Sequence, residues 1–196
     1  MHPVFSRNLF LVKEHVGMFK ASNNYDILDP ESGEVILECR EPNLGMITKL
    51  LRFSDFKRST PFDVHISEPG QEPLLRVARG ISIFLSQVEV YDEEDRVLGG
   101  FKQKFLSVGG KFQLEDSSGN PLCMLKGKWT GWDFRFIDDN DNEFAHVTKK
   151  WTGLGKEMFT TADTYMLEIS ERVPADNPLR ALILGSVMVI DMVLKE

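Results

Sequence analysis

The sequence NPLRALILGSVMVIDMVLKE, at residues 177–196, is the one long apolar segment of the chain. From Ala181 to Leu194 it is apolar on every side except at Ser186 and Asp191. A helix that is hydrophobic all round lies either in a lipid bilayer or in the interior of a protein. A bilayer span needs about 20 apolar residues, whereas runs of about 10–14 are more typical of buried core helices. The segment therefore favours a buried helix over a short membrane anchor.

The flanks and the one acidic residue of this segment support the same interpretation. Asp176 or Asn177 can cap the first turn, and Pro178 suits the first helical position. A carboxylate costs about 2.5–3.5 kcal/mol at the centre of a bilayer and less near its edge. Inside a protein, a side chain or a backbone amide can pair with it. We therefore predict a structural role for Asp191 within a buried helix.

A repeated pattern fills the middle of the chain. Three segments share alternating apolar residues, an aspartate, a polar turn, a second strand, two basic residues and an aromatic residue. They are VEVYDEEDRVLGGFKQKF (88–105), FQLEDSSGNPLCMLKGKW (112–129) and FRFIDDNDNEFAHVTKKW (134–151), and in each the aromatic residue follows the aspartate by 13 positions. Because Asp, Asn and Gly suit tight turns, each segment is predicted to form a β-hairpin. Tyr25–Leu37 is a looser fourth copy.

Several hairpins in series predict a closed barrel. A lone hairpin is only marginally stable, so the hairpins pair edge to edge. A meander of ten or more strands splits into two sheets or closes, and closure removes its exposed edges. Such a barrel is too wide for its own side chains to fill, and the apolar C-terminal helix fits the space. The sequence therefore predicts one domain over residues 1–196, a mainly β, closed antiparallel barrel around a buried C-terminal helix.

Composition and charge limit the classes of function. The chain has 196 residues, of which 42% are hydrophobic and 27% charged, as in soluble globular proteins. Its net charge of −7 argues against non-specific binding of nucleic acid. The four histidines lack metal-ligand spacing, and neither a glycine-rich phosphate loop nor a serine nucleophile elbow is present, so we do not expect an enzyme. Acidic groups such as Glu93 and Glu94 are interpreted as solvated turn residues.

The cysteines and the N-terminus indicate the compartment. Cys39 and Cys123 form no disulfide framework or metal motif, so we predict reduced, buried thiols. The first 15 residues lack the charged and apolar regions of a signal peptide. These features favour the cytoplasm, with peripheral attachment to a membrane left open.

Two motifs near the C-terminus resemble the phospholipid scramblase family. WTGLGKEMFTTAD (151–163) is followed by LILGSVMVID (182–191), and the hairpins from about Phe62 onward are compatible with this family and with the LURP-one-like plant proteins. The resemblance implies a tubby-like fold, a closed barrel of about twelve strands around a central hydrophobic helix. It also implies calcium-stimulated, energy-independent movement of phospholipids between leaflets, or a membrane-associated or regulatory role.

The calcium site of that family is degenerate in this sequence. In members that have the site, a twelve-residue loop carries acids at its first, third and last positions, which correspond to the window Thr161–Arg172. Only the third position, Asp163, keeps its acid. Calcium prefers about six to eight oxygen ligands, and Glu168 and Glu171 lie outside the family pattern. The resemblance therefore leaves Asp163 as one candidate ligand, and no cofactor is expected.

Basic and aromatic residues recur at matching positions of the hairpins. The lysines either keep an outer face soluble or form a patch for anionic lipid headgroups, worth about 1 kcal/mol per side chain near such a surface. The headgroup candidates are Lys126, Lys128, Lys149, Lys150 and Lys156. Trp129 and Trp151 share one repeat position, which favours barrel packing over a membrane-interface belt. The amphipathic helix predicted over residues 43–53 either packs against the core or is a second candidate surface.

Two functions from different classes follow. The first is a scramblase-related, membrane-associated protein that binds lipid or moves phospholipids in both directions without bond chemistry. The second is a soluble tubby-like module that recognises a lipid headgroup or a protein partner. A buried central helix makes bulk lipid transport hard to explain, because the one long apolar segment is then not available to the bilayer.

Overall fold

The computed structural model describes residues 1–15, 24–42, 60–80, 87–103, 112–128, 131–152, 164–190 and 192. Within these ranges, twelve strands are followed by one α-helix, and a short 3-10 helix (Pro3–Ser6) precedes the first strand. The strands are β1 (Leu9–Glu14), β2 (Tyr25–Leu28), β3 (Val35–Arg40), β4 (Phe62–Ser67), β5 (Pro73–Arg79), β6 (Gln87–Tyr91), β7 (Val97–Gln103), β8 (Phe112–Asp116), β9 (Pro121–Lys128), β10 (Asp133–Ile137), β11 (Glu143–Thr148) and β12 (Thr164–Ile169). The helix is α1 (Leu179–Val189).

The strands form a closed antiparallel barrel. Each strand pairs with its neighbours along the chain, and β1 pairs with β12 to close the sheet, with Leu9 opposite Glu168 and Lys13 opposite Thr164. The predicted hairpins correspond to β2–β3, β6–β7, β8–β9 and β10–β11. The prediction of a mainly β barrel built from consecutive hairpins is therefore confirmed.

Alternation along the strands places one set of side chains inside the barrel. On β4, Phe62, Val64 and Ile66 are buried, whereas Asp63 and His65 are only half-buried. This follows from the two-residue period of a strand, which directs successive side chains to opposite faces. The same alternation holds on β5 and β6. The inward faces of these strands are therefore mainly apolar, and an apolar occupant suits them.

Helix α1 is that occupant. Every residue from Leu179 to Ile190 is buried, and the helix contacts β5, β6, β7, β12 and the 3-10 helix. Gly185 faces the wall closely, since a Cβ built there would lie 3.2 Å from Val77 Cγ2. Within the described ranges, no helix has both the length and the apolar character needed to cross a membrane. The prediction of a buried C-terminal helix is confirmed, while Asp191 lies outside the described residues.

The start of α1 is fixed by side chains. Asn177, and not Asp176, caps it: Leu179 N–H donates to Asn177 Oδ1 at 2.9 Å. Arg180 is buried, and its guanidinium donates to Phe5 O at 2.6 Å and to Val173 O at 2.7 Å. The same guanidinium also donates to three oxygens of the residues that follow Phe5, namely Ser6 O, Arg7 O and Asn8 Oδ1. Burial lowers the pKa of this guanidinium.

The connections divide the barrel into two ends. The short-turn end comprises residues 1–8, 29–34, 68–72, 92–96, 116–120, 138–142 and 170–178, because an antiparallel meander returns to the same end after every second strand. The opposite end is called the long-loop end, and its described residues include 131–132 and 149–152. The C-terminus of α1 points toward the long-loop end.

One aspartate organises each repeated turn. Asp138 Oδ1 accepts hydrogen bonds from the N–H groups of Asn140 at 2.8 Å and Asn142 at 2.9 Å. Asp92 and Asp116 make the same pair of bonds in their own turns. The fourth residue of each turn has a positive φ: 57° at Asp95, 82° at Gly119 and 59° at Asp141. The aspartate of the repeat is therefore explained by turn geometry.

The double variant Asp116→Asn/Asp138→Asn is expected to lose pH-dependent stability. Hydrogen bonds from the Asn120 and Asn142 side chains and from backbone N–H groups lower the pKa of the two carboxyls. A folded-state pKa below the unfolded value of about 3.9 gives stability that is present above that value and lost as the pH falls. Urea unfolding between pH 7 and pH 2 should show that the free energy of unfolding of the double variant falls less steeply with falling pH than that of the native protein. An unchanged slope would contradict this, and Asp139→Asn is the control.

Candidate functional site

The structure separates the lysines that the sequence grouped together. Lys126 Nζ lies 3.5 Å from Asp141 Oδ1 in a short turn, so its charge is partly neutralised there. Lys128 is the last residue of β9 and pairs in register with Asp133 of β10. Lys149 and Lys150 follow the end of β11 at the long-loop end. Lys156 lies outside the described residues, and the headgroup role of these lysines stays a prediction.

An aromatic and cationic cluster lies beside Lys149. The Lys149 ammonium is 4.3 Å from the centroid of the Trp132 ring, and Lys149 N–H donates to Trp132 O at 3.2 Å. The Trp132 ring stacks on Tyr165 at 5.3 Å and meets Phe134 edge-on at 5.9 Å. Trp132 has a φ of 47°, which is strained for a bulky side chain and is held by this packing.

Sequence reasoning did not assign Trp132 to the site. Its position between two repeats is the signal that could have found it, because the repeat pattern does not account for a tryptophan after Gly131. In the structure Trp132 is half-buried, and of the residues that follow Lys149, Lys150 is exposed and Trp151 is half-buried. Trp129 lies outside the described residues, and the packing role predicted for Trp129 and Trp151 stays a prediction.

Charge is distributed unequally along the barrel axis. The short-turn end carries 15 acidic residues and three arginines, hence a net charge of −12, although the whole chain carries −7. The remainder of the chain therefore has a net charge of +5. The acidic residues are Asp29, Glu31, Glu34, Glu68, Glu72, Asp92, Glu93, Glu94, Asp95, Asp116, Asp138, Asp139, Asp141, Glu171 and Asp176, and the arginines are Arg7, Arg96 and Arg172.

Histidine–carboxylate pairs lie on the outer wall. His15 Nε2 is 2.6 Å from Asp26 Oδ2, and His146 Nε2 is 2.9 Å from Asp133 Oδ1. Arg40 also donates to Asp26, at 2.7 Å. In the part of the chain that the structure describes, no serine, threonine or cysteine side chain hydrogen-bonds to a histidine. The wall pairs are therefore hydrogen-bonded side chains that join neighbouring strands on the outside of the barrel.

Comparison with known proteins assigns the family. A family model described as Scramblase matches residues 9–196. The chain belongs to the scramblase family. A crystal structure of a protein from Arabidopsis thaliana is similar to it, with a TM-score of 0.55, 14% sequence identity, and coverage of 97% of this chain and 94% of that chain. At this identity the likeness shows the fold alone. No curated protein has a significantly similar sequence.

The window for a scramblase calcium loop is largely a strand in this protein. Thr164–Ile169 forms β12, in which successive side chains point to opposite faces and cannot surround one ion. Arg172, at the last position of the window, donates to Asn142 Oδ1 at 3.1 Å. Among the described residues, no group of three or more His, Cys, Asp or Glu side chains could hold a metal ion. Asp163 lies outside those residues, as does the predicted amphipathic helix over 43–53.

The two thiols are expected to be unreactive in the native scramblase-family barrel. Cys39 and Cys123 are free and buried. Burial raises the pKa of the Cys39 thiol, and it raises that of Cys123 to about 12. Because the thiolate is the reactive species, Ellman's reagent should label neither cysteine at pH 8 and both in urea. Rapid labelling of the folded protein would contradict the burial of these side chains.

Proposed function

We propose that this scramblase-family protein binds phospholipid membranes peripherally, with its long-loop end toward anionic headgroups and without bond chemistry. The observation that carries the proposal is the charge distribution: −12 at the short-turn end against +5 for the remainder of the chain. An anionic membrane surface repels the short-turn end and attracts the remainder of the chain. The electric field of the membrane therefore orients the barrel before contact.

The described residues of the long-loop end suit such a surface. Lys150 is exposed, and the Lys149 ammonium lies over the Trp132 ring. Tryptophan is enriched at the level of lipid headgroups, because its ring is apolar and its N–H is polar. Trp132 and Trp151 are half-buried at this end. Anionic lipids are concentrated in the cytoplasmic leaflet, which fits a cytoplasmic protein attached peripherally.

Helix α1 bears on whether the protein moves lipid or only binds it. Its residues are buried within the barrel, so insertion of α1 into a bilayer would require the core to open. Membership of the scramblase family keeps bidirectional phospholipid movement as the second candidate function. A soluble module that recognises a headgroup or a protein is the alternative to membrane attachment. The burial of α1 favours binding over transport.

Flotation with liposomes tests the proposal. We expect the protein to float with vesicles of phosphatidylcholine and phosphatidylserine at low salt, and not with phosphatidylcholine alone. The variant Lys149→Gln/Lys150→Gln should weaken binding roughly tenfold to thirtyfold, because each lysine contributes about 1 kcal/mol near an anionic surface. The control Lys126→Gln/Arg172→Gln removes the same charge away from the long-loop end and should change binding less than about twofold.

Two outcomes would contradict the proposal. If the protein floats with neither kind of vesicle, it does not bind these membranes. If the two double variants lose equal affinity for vesicles, the long-loop end is not the end that faces the membrane. Dithionite quenching of a fluorescent lipid, with and without calcium, then separates binding from movement between leaflets. Vesicle binding without transport would support the first candidate function over the second.

A further inference from the structure

The short-turn end contains an apolar pocket within its acidic surface. The pocket has a volume of about 280 Å³ and lies between the 3-10 helix, the start of β5, the start of β7 and the start of α1. Its apolar walls come from Phe5, Leu74, Leu75, Leu98, Pro178 and Ala181. Glu93, Glu94 and Asp176 also line it, together with Asp92 and Arg96. An apolar interior thus opens through a predominantly acidic mouth.

Exposed apolar side chains gather at the same end. Among the described residues, the large hydrophobic side chains with high exposure are Met1 at 56%, Val97 at 40% and Val35 at 38%. Met1 lines the pocket, and Val97 lies between Arg96 and Leu98, which also line it. Exposed hydrophobic side chains next to an apolar pocket are typical of an interaction surface.

The carboxylates at the mouth differ in how they are paired within the fold. Asp92 and Glu94 both bind Arg96, at 2.8 Å and 2.6 Å. In contrast, neither Glu93 nor Asp176 makes a hydrogen bond or an ion pair with any described residue. Both side chains belong to exposed residues. They are therefore placed to receive a cation from outside, beside an apolar cavity.

We propose that this pocket binds a polypeptide segment of a partner protein that presents one apolar side chain flanked by lysine or arginine. Charge complementarity selects the class of partner, because the surrounding end carries a net charge of −12. The same charge repels an anionic membrane. The pocket lies at the opposite end of the barrel from the lysines of the proposed membrane surface, so one molecule has room for a membrane and a partner together. The inference goes beyond the proposed function and does not depend on it.

Two synthetic pentapeptides, acetyl-KKLKK-amide and acetyl-KKSKK-amide, test the proposal without any lipid. They are titrated at low salt into protein labelled with carbon-13 at the leucine methyl groups. We expect the leucine peptide to bind at least about tenfold more tightly, because burying a leucine side chain is worth about 1.5–3 kcal/mol. The methyl signals of Leu74 and Leu98 should shift with the leucine peptide only. Equal affinities would indicate charge attraction alone and would overturn the proposal, as would the absence of binding.

A matched pair of variants locates the binding site. Glu93→Gln/Asp176→Asn should weaken the leucine peptide roughly fivefold, since each exposed ion pair contributes about 0.2–1 kcal/mol. Asp139→Asn/Glu171→Gln removes two exposed acids from the same end but away from the pocket, and should change affinity less than about twofold. All four positions are exposed, so the variants should keep the fold. Equal losses in both pairs would place the binding elsewhere on the acidic surface and would overturn the assignment of the pocket.

Discussion

Replacing Arg180 by methionine is expected to lower the free energy of unfolding by about 3–5 kcal/mol. The guanidinium is buried at the start of α1 and donates to five oxygens, four of them backbone carbonyls. Methionine has a similar volume but donates nothing, so the carbonyl oxygens of Phe5 and Val173 would be buried without this donor. Urea unfolding followed by circular dichroism measures the loss.

The variant Arg180→Lys and a control at the exposed Arg172 distinguish the effect of the positive charge of Arg180 from that of its hydrogen-bond geometry. Arg180→Lys keeps the positive charge, yet an ammonium cannot reach both Phe5 O and Val173 O in the way the planar guanidinium does. It should therefore lose more than half of the stability that Arg180→Met loses. Arg172 is an exposed residue with one bond to Asn142, and Arg172→Met should cost less than about 0.5 kcal/mol. Full stability in Arg180→Lys would show that charge, and not the fork of donors, holds α1 in place.

Replacing Gly127 by alanine is expected to lower the free energy of unfolding by about 2–3 kcal/mol, although the substitution adds only one methyl group. A Cβ at this position would lie 2.2 Å from Phe134 Cδ1 and 2.6 Å from Asp133 O. Gly127 and Phe134 are opposite each other on β9 and β10, so the ring occupies the space that a side chain would need. Relief of this overlap requires movement of the Phe134 ring or of the β10 backbone.

The control for this prediction is four residues away. A Cβ on Gly131 would meet no heavy atom within 4 Å, so Gly131→Ala should leave the free energy of unfolding within about 0.5 kcal/mol of the native value. The double variant Gly127→Ala/Phe134→Leu should recover part of the loss, because leucine has no ring at that position. Additive losses in this double-mutant cycle would show that the ring is not the obstacle.

The barrel and its buried helix were predictable because both depend on local patterns. Asp92, Asp116 and Asp138 bind N–H groups within four residues of themselves, so their turns are encoded where they stand. The alternation of apolar and polar residues likewise predicts a strand without reference to the strands with which it pairs. Closure of the barrel and burial of the helix followed from edge pairing and from the need to fill the interior.

The contacts that sequence reasoning missed are those that depend on register or on long separation. Arg180 binds Phe5 O across 175 positions, and no local pattern indicates that pair. Lys126 reaches Asp141 only because of the register of β9 against β10 and the turn that follows. Trp132 owes its strained backbone to packing against Tyr165. The sequence therefore could not show that Lys126 is paired with Asp141, and the headgroup role of the lysines stays a prediction.

The order of elements along the chain has a consequence for how the protein is made. The strand that closes the barrel is the twelfth, and the helix that fills it comes later still. The ribosome therefore releases all twelve strands before it releases α1. Strand β1 can pair with β12 only after more than 150 further residues have been synthesised. Domains with such distant pairings fold slowly and expose apolar faces and unpaired edges meanwhile. Until α1 has left the ribosome, the nascent chain is therefore expected to expose the kind of apolar surface that chaperones protect.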